Sequence, residues 1–424
     1  MSLDVISKTT DSAGALADSA RALLRAAAVR GTAHRMLMLA LDGKLADWRV
    51  DLDRLEPTAD FVATVVRDRY PRLSVPVHSR WRHFTLEGRD LWGGIVARAQ
   101  WDDAAAAARS AFDLVIVSVL LDAGAGAGWR FHDRSTGLVA ARSEGLALAS
   151  LRWFESGGLS DHPQSDPLRV DAAALRRTAS QSLESAFQAG ETNQLLGLEG
   201  RAALLQRLGT VVASRPDLYA IADSPRPGGL FDALCARAVQ GQLPAATILE
   251  MLLEALGPVW QDRPSLGGVP LGDCWPHPAV RGKGPADSYV PLHKLSQWLA
   301  YSLLEPLRDA GVWVTGVHEL TGLAEYRNGG LLVDMGVLCP RDVTASSKTY
   351  TVMDPFVVGW RSLTVALLDR LAPLVGMRLG LTPEVFPLAS ALEGGTWAAG
   401  RLIARQRRAD GSPPFSISSD GTVF

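Results

Sequence analysis

Apolar and alanine positions recur every three or four residues from Ser12 to Leu41 and, with a stronger apolar face, from Asp103 to Leu121, which is the period of an amphipathic helix. The same spacing predicts helices over Asp171–Ala189, Glu199–Leu208, Gly228–Val239, Ala245–Leu256, Leu292–Leu307, Arg361–Leu374 and Glu393–Arg407. Strand signals are sparse and short, at Trp313–Val317, Tyr350–Val352 and Phe415–Ile417, each beside a turn. The pattern predicts a mainly α, multi-helix bundle-like fold with a small β element toward the C-terminus. Breaker-rich stretches fall at 123–137, 155–168, 224–229 and 257–291. The last is long for a compact domain, and such loops are more often functional than not.

Composition narrows the picture. With 424 residues and 47% apolar content the chain buries a substantial core, as one large domain or as two intimately packed helical subdomains of about 1–190 and 191–424. Its 43 basic and 45 acidic residues give a net charge of −2, so nothing electrostatic points to DNA or RNA as the main ligand. Three widely spaced cysteines, Cys235, Cys274 and Cys339, do not make a disulfide framework and suit a reducing compartment. Met1–Lys8 lacks a basic stretch leading into an apolar one, and no run approaches the roughly 20 apolar residues of a membrane span. The expectation is a soluble, cytoplasmic protein with a small-molecule partner and no membrane; the oligomeric state is open.

The densest candidate chemistry lies in Leu320–Gly336, where Glu325, Tyr326, Arg327 and Asn328 precede Gly329-Gly330 and Asp334 follows. A carboxylate that acts as base or cation stabiliser needs burial and an orienting neighbour, and Arg327 is the obvious one. A salt bridge at a helix start, with Asp334 solvated, is the ordinary alternative. His78-Ser79-Arg80-Trp81-Arg82-His83-Phe84 sets guanidinium forks beside rings and could form an anion-and-ring pocket, or simply a turn around a buried Trp81. Leu121-Asp122 leads into Gly124, Gly126 and Gly128 and then Trp129-Arg130; the spacing is not G-x-G-x-x-G and no Walker lysine follows. Asp122 is better placed at the end of a buried helix, with Trp129 and Arg130 folding back over it. Ser143 reads as an N-cap with Glu144 in the first turn, Glu144 remaining a secondary candidate. Leu196-Gly197-Leu198-Glu199-Gly200-Arg201 only weakly resembles a helix-hairpin-helix turn. Cys274 and His277 could touch a metal, but no second Cys/His pair stands at zinc spacing, so no metal site and no cofactor is expected. Trp275, His277, Tyr289 and His293 make more sense as a ligand wall, with His293, Gln297 and Tyr301 on one helix face.

These segments, with Arg142–Gly145, Tyr289–Leu299 and the C-terminal Asp420-Gly421-Thr422-Val423-Phe424, resemble the uracil-catabolism family of fungi and bacteria over nearly the whole chain. More distantly, Ala324-Glu325-Tyr326-Arg327 is similar to the Ala-Asp-Tyr-Arg motif of queuosine-salvage nucleosidases, helical proteins with a helix-hairpin-helix glycosylase-like architecture. The resemblance implies hydrolysis of an N-ribosyl bond, in ribosylurea or its 5′-phosphate, to urea and ribose or ribose phosphate. Glu325 would stabilise an oxocarbenium-like transition state or activate water, with Asp122 or Asp334 as second carboxylate. Arg80, Arg82 and Arg327 would hold a phosphate, and Trp81, Trp129 and Trp275 would enclose the sugar and ureido group. Three places depart from the pattern: Glu325 replaces aspartate, Asn328-Gly329-Gly330 replaces Val-Pro-Gln, and Gly359 precedes Trp360-Arg361 where an acid is usual, leaving Asp354 as a substitute. A non-catalytic protein that binds a pyrimidine-derived ligand or a pathway enzyme is the rival; a DNA glycosylase is disfavoured by the near-neutral charge.

Overall fold

The structure, a computed structural model, describes residues 14–126, 128–221 and 224–418, so the C-terminal Asp420–Phe424 motif and Ala127 lie outside the described residues. Helix dominates, and among the described residues strands occur only as two-stranded pairs. The mainly α class with small β elements is what the structure shows. No helix among the described residues is long and apolar enough to cross a membrane.

The chain forms two compact units, each assembled from separated stretches. One contains residues 14–78, Asp262–Gln297 and His318–Ser418; the other contains the described part of Ser79–Gln261 and Trp298–Val317. Residues 190 and 191, the approximate border of the two-subdomain alternative, both fall within the second unit. Local period does not register a chain that leaves one unit and later returns to it.

The first unit is organised around Pro355–Leu379, a 25-residue helix that begins on proline and ends at Gly380 in the left-handed region (φ 71°). It is apolar on nearly every face and packs against Ala26–Leu41 and Leu55–Arg69. Leu55–Arg69 escaped the periodic reading because Pro57 sits in its first turn and Thr58, Val62, Val65 and Val66 are β-branched, poor helix formers in isolation. Its buried positions 55, 58, 59, 62, 63, 65 and 66 nevertheless trace one face. Through this core runs an aromatic stack: Tyr350 on Phe356 (4.5 Å), Phe356 on Trp48 (4.5 Å), Trp48 on Trp360 (6.3 Å) and Trp360 on Tyr326 (5.4 Å). Phe415 meets Trp48, Phe356 and Trp360 edge-on. Such contacts contribute about 0.5–1.5 kcal/mol each beyond area burial, which fixes the Tyr326 ring. The two expected C-terminal strands pair with each other, Thr349–Tyr350 parallel to Ser416–Ile417.

In the second unit the largely apolar Ala104–Leu120, capped by Asp103 on the Ala106 N–H (2.6 Å), packs against Arg142–Glu155. Ala245–Leu256 forms as the period predicts. The helix expected over Asp171–Ala189 breaks into Ala172–Arg176 and Ser180–Ala186, where the Gln206 side-chain amide captures the Thr178 carbonyl at 2.7 Å. Trp313–Thr315 pairs in parallel with Gln242–Pro244.

Candidate functional site

Glu325 is the N-cap of the Tyr326–Asp334 helix; its backbone is extended and its carboxylate accepts from the Arg327 N–H (2.7 Å) and the Asn328 N–H (2.6 Å). The bond from Arg327 is made by its backbone, while its guanidinium donates to the Gly411 carbonyl (2.9 Å), so orientation of Glu325 comes from the helix end instead of from a neighbouring charge. A carboxylate offers about four lone-pair sites, and two of Glu325's are committed. The diglycine that follows serves close packing, not flexibility: a Cβ on Gly329 would lie 2.7 Å from Trp360 Nε1 and 2.9 Å from Thr364 Oγ1. Asn328 is buried, donates to Leu323 O (3.3 Å) and leaves its Oδ1 without a partner.

Behind Glu325 stands an ion pair that the pattern did not single out. Arg361 grips Asp273 with both terminal nitrogens, at 2.8 Å each, and its Nε donates to the carbonyl of Ala324 (2.9 Å), the residue before Glu325. Asp273 also accepts from Trp275 Nε1 (2.9 Å) and the Lys294 N–H (3.1 Å). Burial alone would raise the Asp273 pKa; Arg361 and these donors more than reverse it and hold the carboxyl well below its usual range. The same surroundings push the Tyr326 phenol upward, chiefly through burial, so it stays protonated. His293, with φ of 47°, bonds Leu23 O through Nε2 (3.0 Å) and leaves Nδ1 without a partner; His277 bonds Pro355 O (3.1 Å). Burial lowers both histidines. In the Cys274–Pro276 and Tyr289–Pro291 pair Trp275 is opposite Val290 and Tyr289 opposite Pro276, so the two rings lie on opposite faces, Trp275 in the large core and Tyr289 against the Leu271–Cys274 cluster, and do not form one wall.

The acid expected before Trp360-Arg361 is absent at Gly359, and the carboxylate that meets Arg361 lies 88 residues away. Gly359 is small because a Cβ there would meet Trp48 at 3.3 Å and His277 at 3.5 Å. Asp354 is spent on Thr351, accepting from its N–H and hydroxyl. Asp334 sits at the other end of Glu325's helix, roughly 13 Å along the axis. Both its oxygens are held by Arg408 (2.8 and 2.6 Å).

In the second unit Arg80 is fully buried. It donates to Ser118 Oγ (2.7 Å) and Ser118 O (3.1 Å) and stacks over Trp298 at 5.5 Å. It stands 3.1 Å from Asp122 Oδ1 but without a hydrogen aimed at that oxygen; Ser143 Oγ donates to the other (3.1 Å). Burial lowers the Arg80 pKa, with Asp122 and Glu144 opposing. The glycine-rich segment turns carbonyls, not N–H groups, toward a charge: Leu121, Ala123 and Gly124 all accept from Arg201, whose pKa burial pulls down to about 10. That is the reverse of a phosphate loop. Trp129 is buried and donates to Phe187 O (3.0 Å). Trp81 and Trp92, 5.4 Å apart, line a cleft of about 550 Å³ together with the Arg82–Glu305 ion pair. His78 belongs to the first unit, 2.7 Å from Glu393.

From residue 22 to 424 the chain matches the family described as "Protein of unknown function (DUF1688)". It is 37% identical over 409 residues to "Protein urg3" of Schizosaccharomyces pombe, covering 93% of this chain and 96% of that protein. It is 35% identical over 425 residues to "Uracil catabolism protein 4" of Lachancea kluyveri, covering 90% and 93%. With a match that runs through both units, the chain belongs to the DUF1688 family.

Proposed function

We propose that this protein takes part in uracil breakdown and hydrolyses the N-glycosidic bond of ribosylurea or its 5′-phosphate, giving urea and ribose or ribose 5-phosphate. The place in uracil breakdown is supported by the name of the Lachancea kluyveri relative, Uracil catabolism protein 4. The observation that carries the chemistry is Glu325: a carboxylate clamped by two backbone N–H groups at a helix N-terminus, where negative charge is favoured. A fixed anion needs no reorganisation as positive charge develops at C1′. Arg361 and Asp273 act as positioning residues, since they hold the Ala324 carbonyl and so the turn that aims Glu325. Tyr326, locked on Trp360, presents a phenol that remains a donor. Asp334, neutralised by Arg408, is left out of the reaction.

The second reading, a binding protein for a pyrimidine-derived ligand, draws on the Trp81–Trp92 cleft, a ring-sized space with paired charges. Glu325→Gln separates the two. An enzyme loses turnover by about 10²–10⁴-fold and still binds ligand, whereas a binder of this kind shows no urea release to lose. The assay is urea formation from pure ribosylurea and its 5′-phosphate.

A further inference from the structure

The cleft beside Trp81 and Trp92 is lined wholly by the second unit, and the chemistry at Glu325 makes no use of it. Its space follows from the sequence of Ala104–Leu120. Ala104, Ala107, Ala108 and Ala111 recur at i, i+3, i+4 and i+7, so four methyl groups share one helix face, and all four line the cleft. Larger side chains at these positions would fill the room that alanine leaves. The indoles are firmly set: Trp81 is buried and donates Nε1 to Ser302 O (2.7 Å), and Trp92 packs against it at 5.4 Å and against Trp101 at 5.8 Å. Trp92 is only half-buried, so a planar group in the cleft finds indole surface to stack on.

Size and charge narrow the ligand. A volume of about 550 Å³ falls within the roughly 300–1,000 Å³ of small-molecule sites and exceeds what a lone six-membered ring fills. The charged lining is Arg82, Arg308, Asp90, Glu305 and Asp309, two guanidinium groups against three carboxylates, a net of −1. Each carboxylate has lone pairs left. Glu305 takes the Ser79 hydroxyl on Oε2 (2.8 Å) and Arg82 on Oε1, Asp90 takes the Gly93 N–H on Oδ1 (2.9 Å), and Arg308 spends Nε and Nη2 on Oδ1 of Asp309 (3.0 and 2.8 Å). Carboxylates so placed accept the hydroxyls of a ribose and repel a phosphate. The helix that ends at Asp309 brings its carbonyl end to the cleft and adds to the negative field. The N-terminal end of Ala104–Leu120 would favour an anion, but the Asp103 carboxylate already sits on its Ala106 N–H (2.6 Å).

We propose that this cleft is a binding site for an uncharged nucleoside, with the base stacked on Trp92 and the ribose hydroxyls bonded to Glu305 and Asp309. The proposal gives the second reading its ligand class and rests on that reading's use of the cleft. It is independent of the hydrolase reading, whose carboxylate belongs to the first unit.

The test is titration calorimetry on the full chain at pH 7 with uridine, uracil and uridine 5′-monophosphate as probes, beside a melting curve for each variant. Uridine is expected to bind, with uracil and the monophosphate each at least about 10-fold weaker, the one for lack of hydroxyls and the other for its charge. Ala107→Leu, which fills the cleft from a half-buried position, and Trp92→Ala, which removes the stacking surface, are each expected to weaken uridine at least about 10-fold. Ala104→Leu, at an exposed position of the same face, takes the place of Ala107→Leu if that variant does not fold. Uridine binding undiminished in the alanine variant puts the nucleoside elsewhere, and uracil or the monophosphate held as tightly as uridine removes the ligand class; either result overturns the proposal and leaves a pyrimidine binder standing. No binding of any probe to the folded wild-type protein overturns the proposal and the second reading together.

Discussion

Asp273→Asn strips the charge from one side of a pair in which Arg361 is 1% and Asp273 18% exposed, so solvent screens little of the loss. Breaking such a pair by removing one partner costs about 3–5 kcal/mol, because the guanidinium stays buried without its counter-charge. The asparagine oxygen can still accept from Trp275 and the Lys294 N–H, which places the expectation near the lower end, about 3 kcal/mol. Removing both charges in Asp273→Asn/Arg361→Met keeps an acceptor for Trp275 and the Lys294 N–H, frees the Ala324 carbonyl and should cost less, about 1–2 kcal/mol. Urea titrations at pH 7, followed by tryptophan fluorescence, report Trp48, Trp275 and Trp360 in the core of this unit; the shift in midpoint multiplied by the slope gives the cost. The depressed pKa also sets a pH window. Since the folded value lies below the unfolded one of about 3.9, the pair's contribution is complete above that pH and fades as pH falls below it, and Asp273→Asn should flatten that loss. A single substitution costing under about 1 kcal/mol, or a double as unstable as the single, would refute the view that this pair anchors the Glu325 turn.

Burial lowers His277 and His293 below the ordinary histidine value, so the unfolded chain takes up their protons first as pH falls. Stability of the first unit should therefore decline below about pH 6.5 and stay level above it, with His293→Gln showing a shallower decline; equal stability at pH 7 and pH 5 contradicts this. Gly359→Asp, which restores the acid expected at that position, should destabilise by about 1–3 kcal/mol by crowding Trp48 and His277, with no gain in activity. Gly31 lies inside Ala26–Leu41 with open space around it, so Gly31→Ala should stabilise by about 0.5–1 kcal/mol in the same titration.

Helices with continuous apolar faces, Ala104–Leu120 and Ala245–Leu256 above all, were legible in sequence because period alone determines them. Leu55–Arg69 was not, since its β-branched face gains its stability from packing on Pro355–Leu379. Glu325 stood out from residue chemistry, but its neighbours misled: the adjacent Arg327 and Asp334 turn to Gly411 and Arg408, while the effective partners of its turn, Arg361 and Asp273, come from distant segments. Of the glycines after Asn328, Gly329 is a packing seat for Trp360 and Gly330 lies against Pro414. His78 was read with its sequence neighbours Arg80 and Trp81, whereas its bond is to Glu393, 315 residues away. Nothing in a local pattern encodes such pairings.

Urea release by the full-length protein from ribosylurea and ribosylurea 5′-phosphate bears most directly on the central claim. The account predicts urea in proportion to time and protein, cut at least 10²-fold in Glu325→Gln while that variant still binds substrate. A folded wild-type protein that frees no urea from either compound, or a Glu325→Gln variant as fast as wild type, would contradict it.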